Sequence, residues 1–230
     1  MNDMTQIDTL DPPYLYPGYG STRFRAPMEP LLRLPRGALD VPGPRVPAGF
    51  VRDGDHDLTN RGKSAPLGEK MILCGRLLDE GGRPIRHSLV EIWQANASGR
   101  YDHPGDTHEA PLDPNFKGAG RALTDDDGGY RFVTIKPGAY PWGNHAYAWR
   151  PQHIHFSLLG NAPVQRLITQ MYFPGDPLLD IDPVFNSVPD TKARQRMIAQ
   201  LALETGIEGI ALGYRFDIVL AGASATPLGL

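Results

Sequence analysis

The sequence is poor in cysteine, and this excludes several kinds of stabilising and metal-binding site. Its 230 residues include a single cysteine, Cys74, so no internal disulfide can form. Cys74 follows three apolar residues at 71–73, a setting typical of a small core residue. Any metal site in this chain would therefore need ligands other than cysteine.

Basic clusters and long hydrophobic runs are also missing. The net charge is -3 with no concentration of Lys or Arg, which argues against nucleic acid as a partner. No apolar run is long enough to span a membrane, and the first ten residues have neither a cationic nor an apolar leader region. We therefore expect a soluble cytoplasmic protein that binds neither nucleic acid nor membranes.

Residues 1–66 differ in composition from the remainder. Proline recurs there without any helical or alternating period, so the segment cannot bury much of its own surface. It nevertheless carries five aromatic residues, unlike most disordered tails: Tyr14, Tyr16, Tyr19, Phe24 and Phe50. We expect an extended N-terminal arm that packs on the core or on a partner subunit.

Residues 67–230 consist of short predicted strands separated by turn signals, which is typical of a β-sandwich. Strands are predicted over 71–79, 88–94, 166–173 and 214–220, with a strand–turn–strand hairpin over 124–132. One late helix is predicted between its N-cap, Asp190, and Gly206. Its predicted apolar stripe is Ala193, Met197, Ile198 and Leu201. The predicted fold class is all-β.

A strand after Pro151 carries two histidines on one face. From Gln152 the run alternates, with His153, His155 and Ser157 opposite Ile154, Phe156 and Leu158. Residues at i and i+2 lie about 7 Å apart at Cα, so both imidazoles can reach one ion. An equally simple interpretation is that one histidine packs and the other is solvated.

The sequence pattern leaves the remaining ligands open. A ferrous site with two histidines and a carboxylate needs a suitably placed acid, but the next Glu after His155 is Glu204. A zinc hydrolase would want a third histidine or a carboxylate, and His145 is available in a loop of unassigned shape. Tyr101 and Tyr140 follow predicted strands, and phenolates are hard oxygen donors suited to Fe(III).

Four stretches resemble the intradiol ring-cleaving dioxygenases in order and spacing. They are Leu-Val-Glu-Ile-Trp-Gln-Ala-Asn at 89–96, Gly-Arg-Tyr at 99–101, Ile-Lys-Pro-Gly-Ala-Tyr-Pro-Trp at 135–142 and Trp-Arg-Pro-Gln-His-Ile-His-Phe at 149–156. The resemblance extends from about residue 13 to 222 and includes 111–116 and 167–173. Unlike the His-x-His pair alone, this combination is highly specific.

The resemblance implies a role for ten residues. Tyr101, Tyr140, His153 and His155 match the ligands of a non-heme Fe(III), with a solvent hydroxide beside them. Arg150 matches the arginine that steadies negative charge developing on the ring, and Gln170 matches a glutamine next to the metal site. The matches to substrate-binding positions are Trp142 and Val184 in the cavity, and Tyr19 and Arg25 in the arm.

The implied reaction is cleavage of an aromatic diol by dioxygen between its two hydroxyl-bearing carbons. For protocatechuate the product is 3-carboxy-cis,cis-muconate, and the resemblance implies a homologous alpha subunit in a hetero-oligomer. Catechol or hydroxyquinol is the alternative substrate, but enzymes for those carry a helical N-terminal segment. A different class, a metal-free transthyretin-like binding or structural subunit, would fit the hairpin at 124–132 but not the four ligands.

Overall fold

The computed structural model of the chain describes residues 10–30, 46–47, 49–144, 146–147, 149–159 and 166–229. Within these ranges, the structure is built mainly of short strands. The strands are β1 Lys70–Leu78, β2 Leu89–Trp93, β3 Ala119–Leu123, β4 Gly129–Ile135, β5 Tyr140–Pro141, β6 Trp149–Arg150, β7 His153–Leu159, β8 Arg166–Tyr172, β9 Gln200–Leu201, β10 Leu212–Arg215 and β11 Ile218–Val219. The helices are α1 Thr22–Arg25, α2 Pro183–Asn186 and α3 Thr191–Gln195, with single 3-10 turns at Pro177–Asp180 and Leu203–Thr205.

Two sheets form a sandwich, as the sequence predicts. One sheet is antiparallel, in the order β3-β2-β7-β8. In the other, β1 pairs with β4 on one side and with β10 and β11 on the other, and β9 extends the sheet beyond β10. Apolar side chains from both sheets form one buried cluster, which includes Leu73, Phe132, Ile92 and Phe156. The hydrophobic face of each sheet is therefore buried against the other.

The predicted strand over 214–220 is two short strands along one edge of β1. β10 and β11 both run parallel to β1, and the interruption between them holds Asp217, whose Oδ1 accepts from the Arg76 N–H at 2.9 Å. Tyr214, Phe216 and Ile218 all lie in the main core cluster. These alternate residues therefore keep one apolar face in the core across the break.

The predicted hairpin over 124–132 is wrong in its pairing. β3 pairs with β2, whereas β4 pairs with β1 in the opposite sheet. The turn itself is present, with Asp125 N–H donating to Gly129 O at 2.9 Å. Turn residues identify a reversal of the chain, but they do not say whether the next strand returns to the same sheet.

The predicted late helix is much shorter than expected. Asp190 is its N-cap and accepts from Ala193 N–H at 2.6 Å, but α3 ends at Gln195. Ala193 and Met197 are buried in a second apolar cluster, whereas Leu201 lies on β9 and is 52% exposed. The apolar spacing that suggested a long helix belongs to one helical turn followed by an edge strand.

Two separate parts of the predicted arm contact residues of the sandwich domain. Gly20 N–H donates to Asn144 O at 3.0 Å, and Leu58 N–H donates to Val133 O at 2.9 Å. Leu58 is fully buried in the main core, although it precedes the predicted boundary at residue 66. That boundary stays a prediction. In the described portion of the chain, no helix is long and apolar enough to cross a membrane.

Candidate metal centre

The two histidines are placed by the register of the antiparallel sheet. β7 starts at His153, two residues after Pro151, whose missing N–H suits a position before a strand. Its alternation sends Ile154 into the core and turns His153 and His155 to the outer face of the sheet. On that face His155 stands opposite Trp93 on β2 and Gln170 on β8, and its ring stacks on the Trp93 ring with centroids 4.8 Å apart.

The histidine nitrogens are arranged as two donors to one ion. The Nε2 atoms of His153 and His155 lie 3.2 Å apart, and Nδ1 of His153 lies 2.7 Å from Pro151 O. The carbonyl can only accept, so it holds the His153 proton on Nδ1 and leaves Nε2 free to bind a metal. Two nitrogens bound about 2.1 Å from one ion at roughly a right angle stand about 3 Å apart, which matches the observed spacing.

Two phenols complete a ring of four side chains around this point. The ring centroids of Tyr101 and Tyr140 lie 5.3 Å apart, and those of Tyr140 and His153 lie 5.4 Å apart. His153 and His155 are 4.8 Å apart, and His155 and Tyr101 are 6.3 Å apart. The four residues that the sequence predicted as ligands are therefore brought together.

The tyrosines lie on irregular segments that are fixed by specific contacts. The Asn96 side-chain oxygen accepts from the N–H groups of Ser98 and Arg100, at 2.9 and 3.0 Å. The N–H of Tyr101 donates to Asp106 Oδ2 at 2.7 Å. Tyr140 lies on β5, whose one partner among the described residues is the two-residue β6, so that Tyr140 stands opposite Arg150.

A glycine lets these two segments approach each other. Gly99 has a φ of +78°, and a Cβ there would lie 2.1 Å from the carbonyl oxygen of Ala139. Only glycine accommodates both this conformation and this contact. The backbone before Tyr101 therefore lies directly against the backbone before Tyr140.

The phenol oxygens near the histidine pair are suited to binding a metal ion. The Tyr101 hydroxyl oxygen is buried and makes no hydrogen bond of ordinary geometry among the described residues, although the Tyr140 hydroxyl lies close enough to act on it. In the described part of the chain, no group of three or more His, Cys, Asp or Glu side chains could hold a metal. A metal at the histidine pair would therefore take its other protein ligands from oxygen donors such as these phenols.

The electrostatic environment requires a cation for the phenols to ionise. Burial and the neighbouring Tyr140 raise the pKa of Tyr101 well above its usual value. Burial also raises the pKa of Tyr140, although Arg150 opposes that rise. Burial and Arg150 lower the pKa of His155 to about 3 and that of His153 well below its usual range. The histidines are thus neutral and ready to bind, whereas the phenols need a metal charge to lose their protons.

Arg150 is buried beside the four rings and is clamped by Asp182, which the sequence analysis missed. Arg150 is 2% exposed, and its Nε and Nη2 donate to the two carboxylate oxygens of Asp182 at 2.8 and 3.1 Å. Asp182 is fully buried and also caps α2 by accepting from Phe185 N–H at 2.9 Å. The Asp-Pro pair at the start of α2 was the available signal, since Pro is favoured at the first helical position after an Asp cap.

The guanidinium of Arg150 stays protonated. Although burial lowers the pKa of its guanidinium, the neighbouring Tyr172 and Asp182 outweigh this and raise that pKa above its usual value. Its Nη1 lies 3.5 Å from His153 Nε2, and its Nη2 donates to Gln170 Oε1 at 2.7 Å. A fixed positive charge therefore stands next to the proposed ligands, with Gln170 packed against it.

The predicted pocket residues form a stack that leads outward from Arg150. The guanidinium lies over the Trp142 ring at 5.0 Å, and Trp142 meets Tyr19 edge-on at 4.8 Å. The guanidinium of Arg25 in turn lies 4.6 Å over the Tyr19 ring. Val184 is 1% exposed on α2, two residues after Asp182. His145 lies outside the described residues.

An open cavity of about 1150 Å³ reaches three of the four predicted ligands, Tyr101, Tyr140 and His155. Trp142 also lines it, together with a rim that includes Asp106 and His108. A small aromatic molecule entering this cavity would reach the phenols and His155 before it met the buried Arg150.

Comparison with known proteins agrees with this architecture. The family described as "Dioxygenase" matches residues 43–222, and the family described as "Protocatechuate 3,4-dioxygenase beta subunit N terminal" matches residues 12–36. The chain is 56% identical to the protocatechuate 3,4-dioxygenase beta chain of Burkholderia cepacia, over 94% of this chain and 93% of that protein.

Two further similarities are more distant. The chain is 30% identical to the protocatechuate 3,4-dioxygenase alpha chain of Pseudomonas putida, over 86% of this chain and 97% of that one. Among solved structures, the dioxygenase domain of a carbohydrate-binding fusion protein from Streptomyces sp. SirexAA-E matches with a TM-score of 0.51. That match is 26% identical and covers 78% of this chain and 97% of that domain.

Proposed function

The chain belongs to the intradiol ring-cleaving dioxygenases, and on that basis we propose that it cleaves protocatechuate to 3-carboxy-cis,cis-muconate. The proposed metal is a non-heme ferric ion held by Tyr101, Tyr140, His153 and His155. The observation that carries the proposal is the convergence of these two imidazoles and two phenols, from separated segments, beside a buried arginine.

The metal would supply a Lewis-acidic ferric centre that binds both oxygens of the deprotonated diol and makes the ring reactive toward dioxygen. Two anionic phenolates and a hydroxide would together neutralise the charge of a ferric ion, whereas neutral ligands alone would not. The hydrogen bond between His153 Nδ1 and Pro151 O keeps the Nε2 lone pair of His153 directed at the site.

Arg150 is proposed to stabilise negative charge that develops on the substrate ring. Its guanidinium is already fixed by two hydrogen bonds to Asp182, so little reorganisation is needed when that charge appears. Because Asp182 and Gln170 occupy Nε and Nη2, the Nη1 side is the part that faces His153 and the site. Trp142 would pack against the substrate while covering the same guanidinium.

Tyr140 is proposed to act as a base when the substrate binds. Tyr140 would be one of the two phenolates that hold the metal, and the family resemblance matches it to the one that serves as a base toward the substrate. The Tyr140 oxygen would then take one of the two hydroxyl protons of the substrate. Its location on a two-residue strand at the edge of the cavity supports this role.

A homologous alpha chain is proposed as the partner in a hetero-oligomer. This chain is similar to a beta chain over almost its whole length and, more distantly, to an alpha chain. The arm residues Tyr19 and Arg25 are proposed to contact the carboxylate end of the substrate, through the stack that ends on Trp142.

Substrate competition tests the proposal directly. The chain should be expressed with iron, with and without an alpha chain, and its turnover of protocatechuate compared with that of catechol and hydroxyquinol. We expect preferential cleavage of protocatechuate and a ring-opened product from cleavage between the hydroxyl-bearing carbons. Equal or greater turnover of catechol would overturn the substrate assignment, and iron-loaded protein inactive on all three diols in both preparations would overturn the function.

A further inference from the structure

The C-terminal tail, defined here as residues 225–229, follows the segment that matches the dioxygenase family and is anchored along β8. Thr169 Oγ1 donates to Pro227 O at 2.7 Å, and Gly229 N–H donates to Ile168 O at 3.1 Å. The Leu228 N–H donates to Asp11 Oδ1 at 2.9 Å, which ties the tail to the N-terminal arm. The tail is thus held against the two β8 residues that precede Gln170 and against the N-terminal arm.

One hydrogen bond connects this tail to the amide beside Arg150. Gln170 is 3% exposed, and its Nε2 donates to Gly229 O at 3.2 Å. Its Oε1 accepts from Arg150 Nη2 at 2.7 Å and from the Tyr172 hydroxyl at 3.0 Å. Every polar atom of the buried amide therefore has a partner.

The Gly229 carbonyl determines which end of the amide faces Arg150. A carbonyl can only accept, so it selects the NH2 end of Gln170 and leaves the oxygen for the guanidinium. With the amide reversed, its NH2 group would face the guanidinium donors, and two oxygens would face each other at the tail. The orientation that suits Arg150 is therefore the one that the tail imposes.

The contact requires glycine at position 229. A Cβ there would lie 2.5 Å from the backbone N of Gln170 and 2.9 Å from the carbonyl carbon of Thr169. Both are backbone atoms in the middle of β8, so a side chain at position 229 could be accommodated only if the tail moved away.

We propose that the C-terminal tail is a positioning element for Arg150 and acts through the amide of Gln170. This inference rests on the proposed role of Arg150 in stabilising charge on the ring. Within the described part of the chain, the hydrogen bonds of residues 225–229 reach no proposed iron ligand, so loss of the tail should reduce turnover without releasing the metal.

The test combines two ways of removing the contact with a matched control. Gly229→Ala and a chain ending at Ala225 should each lower kcat/KM about tenfold, because a hydrogen bond to a charged group is weakened. The loss should lie in kcat rather than KM, and iron content and visible absorption should not change. Ser224→Ala, an exposed change in the preceding loop, should have no effect.

The same variants in a Gln170→Leu background distinguish positioning from general destabilisation. If the tail acts through Gln170, Gly229→Ala and the shortened chain should cause no further loss there. A similar loss in both backgrounds would contradict the proposal, and so would an unchanged kcat/KM in the chain that ends at Ala225.

Hydrogen exchange provides a measurement that does not depend on turnover. In Gln170→Leu, the amides of residues 225, 226, 228 and 229 should exchange faster than in the unaltered protein; unchanged exchange would refute the coupling. If Arg150→Lys proves kinetically silent, the proposed function of Arg150 fails, and this exchange experiment still reports whether the tail and Gln170 are linked.

Discussion

The two halves of the proposed metal centre are held by different means. His153 and His155 lie on a seven-residue strand with a hydrogen-bonded neighbour on each side, so the sheet register sets their positions. Tyr101 and Tyr140 lie on a loop and on a two-residue strand, so individual contacts fix them. From this difference we expect the histidines on the sheet to retain the metal, and one tyrosine on the irregular segments to be able to move.

Removing a sheet-borne ligand should have the largest effect. His155→Ala deletes one of two nitrogens fixed by the sheet, and iron affinity should fall more than about 100-fold, beyond the 10- to 100-fold that outer-shell changes alone cause. Metal analysis of the purified variant would measure this, with the exposed His56→Ala as the control. Full retention of iron in His155→Ala would remove this histidine from the ligand set.

Altering Arg150 should separate chemistry from metal retention. Arg150→Lys keeps a positive charge but loses the planar fork that makes two hydrogen bonds to Asp182. We expect kcat to fall about 100- to 1000-fold while iron and the visible absorption band are retained. Arg131→Lys, an exposed change on the other sheet, is the control. Unchanged turnover in Arg150→Lys would leave Arg150 with a structural role only.

Changing Tyr140 tests whether the irregular half contains the mobile ligand. Tyr140→Phe removes the proposed base but leaves both histidines that the sheet fixes, so the variant should bind iron and still form a substrate complex. Formation of that complex and turnover should both slow by about 100-fold, as measured by rapid mixing with protocatechuate. Tyr101→Phe is the contrasting variant, and a substrate-bound structure with Tyr140 on the metal and Tyr101 displaced would reverse the assignment.

The neutral state of the histidine pair predicts a smaller effect in the metal-free protein. The pKa of His155 is about 3 when folded, against about 6.5 when unfolded, so the unfolded chain binds more protons between these values. The free energy of unfolding should therefore fall as the pH drops below about 6.5, by at most about 1.4 kcal/mol per pH unit from this residue. Urea unfolding between pH 7 and 4.5 would measure the slope, and a His155→Gln variant with an equally steep slope would contradict the prediction.

The same contrast explains how much the sequence could predict. Alternation from Gln152 onward placed both histidines on one strand face, because a strand repeats every two residues. No local period relates Tyr101 to Tyr140. Their meeting depends on the Asn96 loop and on the close approach at Gly99, so only the family resemblance identified them as a pair. Asp182 was missed because none of the recognised motifs includes it, although Val184, two residues later, was matched to the cavity.

The errors in the predicted fold also arise where long-range contacts decide the outcome. The turn at 125–129 was identified correctly from Asp and Gly residues, but the sheet in which the next strand pairs is decided by long-range packing. Likewise, Asp190 was recognised as a helix cap, whereas the chain after Gln195 soon enters β9, which pairs with the distant β10. Local chemistry predicts where elements begin better than it predicts their partners.

The visible absorption of iron-loaded protein tests the central claim most directly. Two phenolates on one ferric ion should give a charge-transfer band, so the purified protein should be burgundy-red. The band should change when either Tyr101 or Tyr140 is replaced by Phe, and it should be absent when both are replaced. A colourless protein that retains stoichiometric iron would contradict the account, because the metal would then lie away from the two phenols.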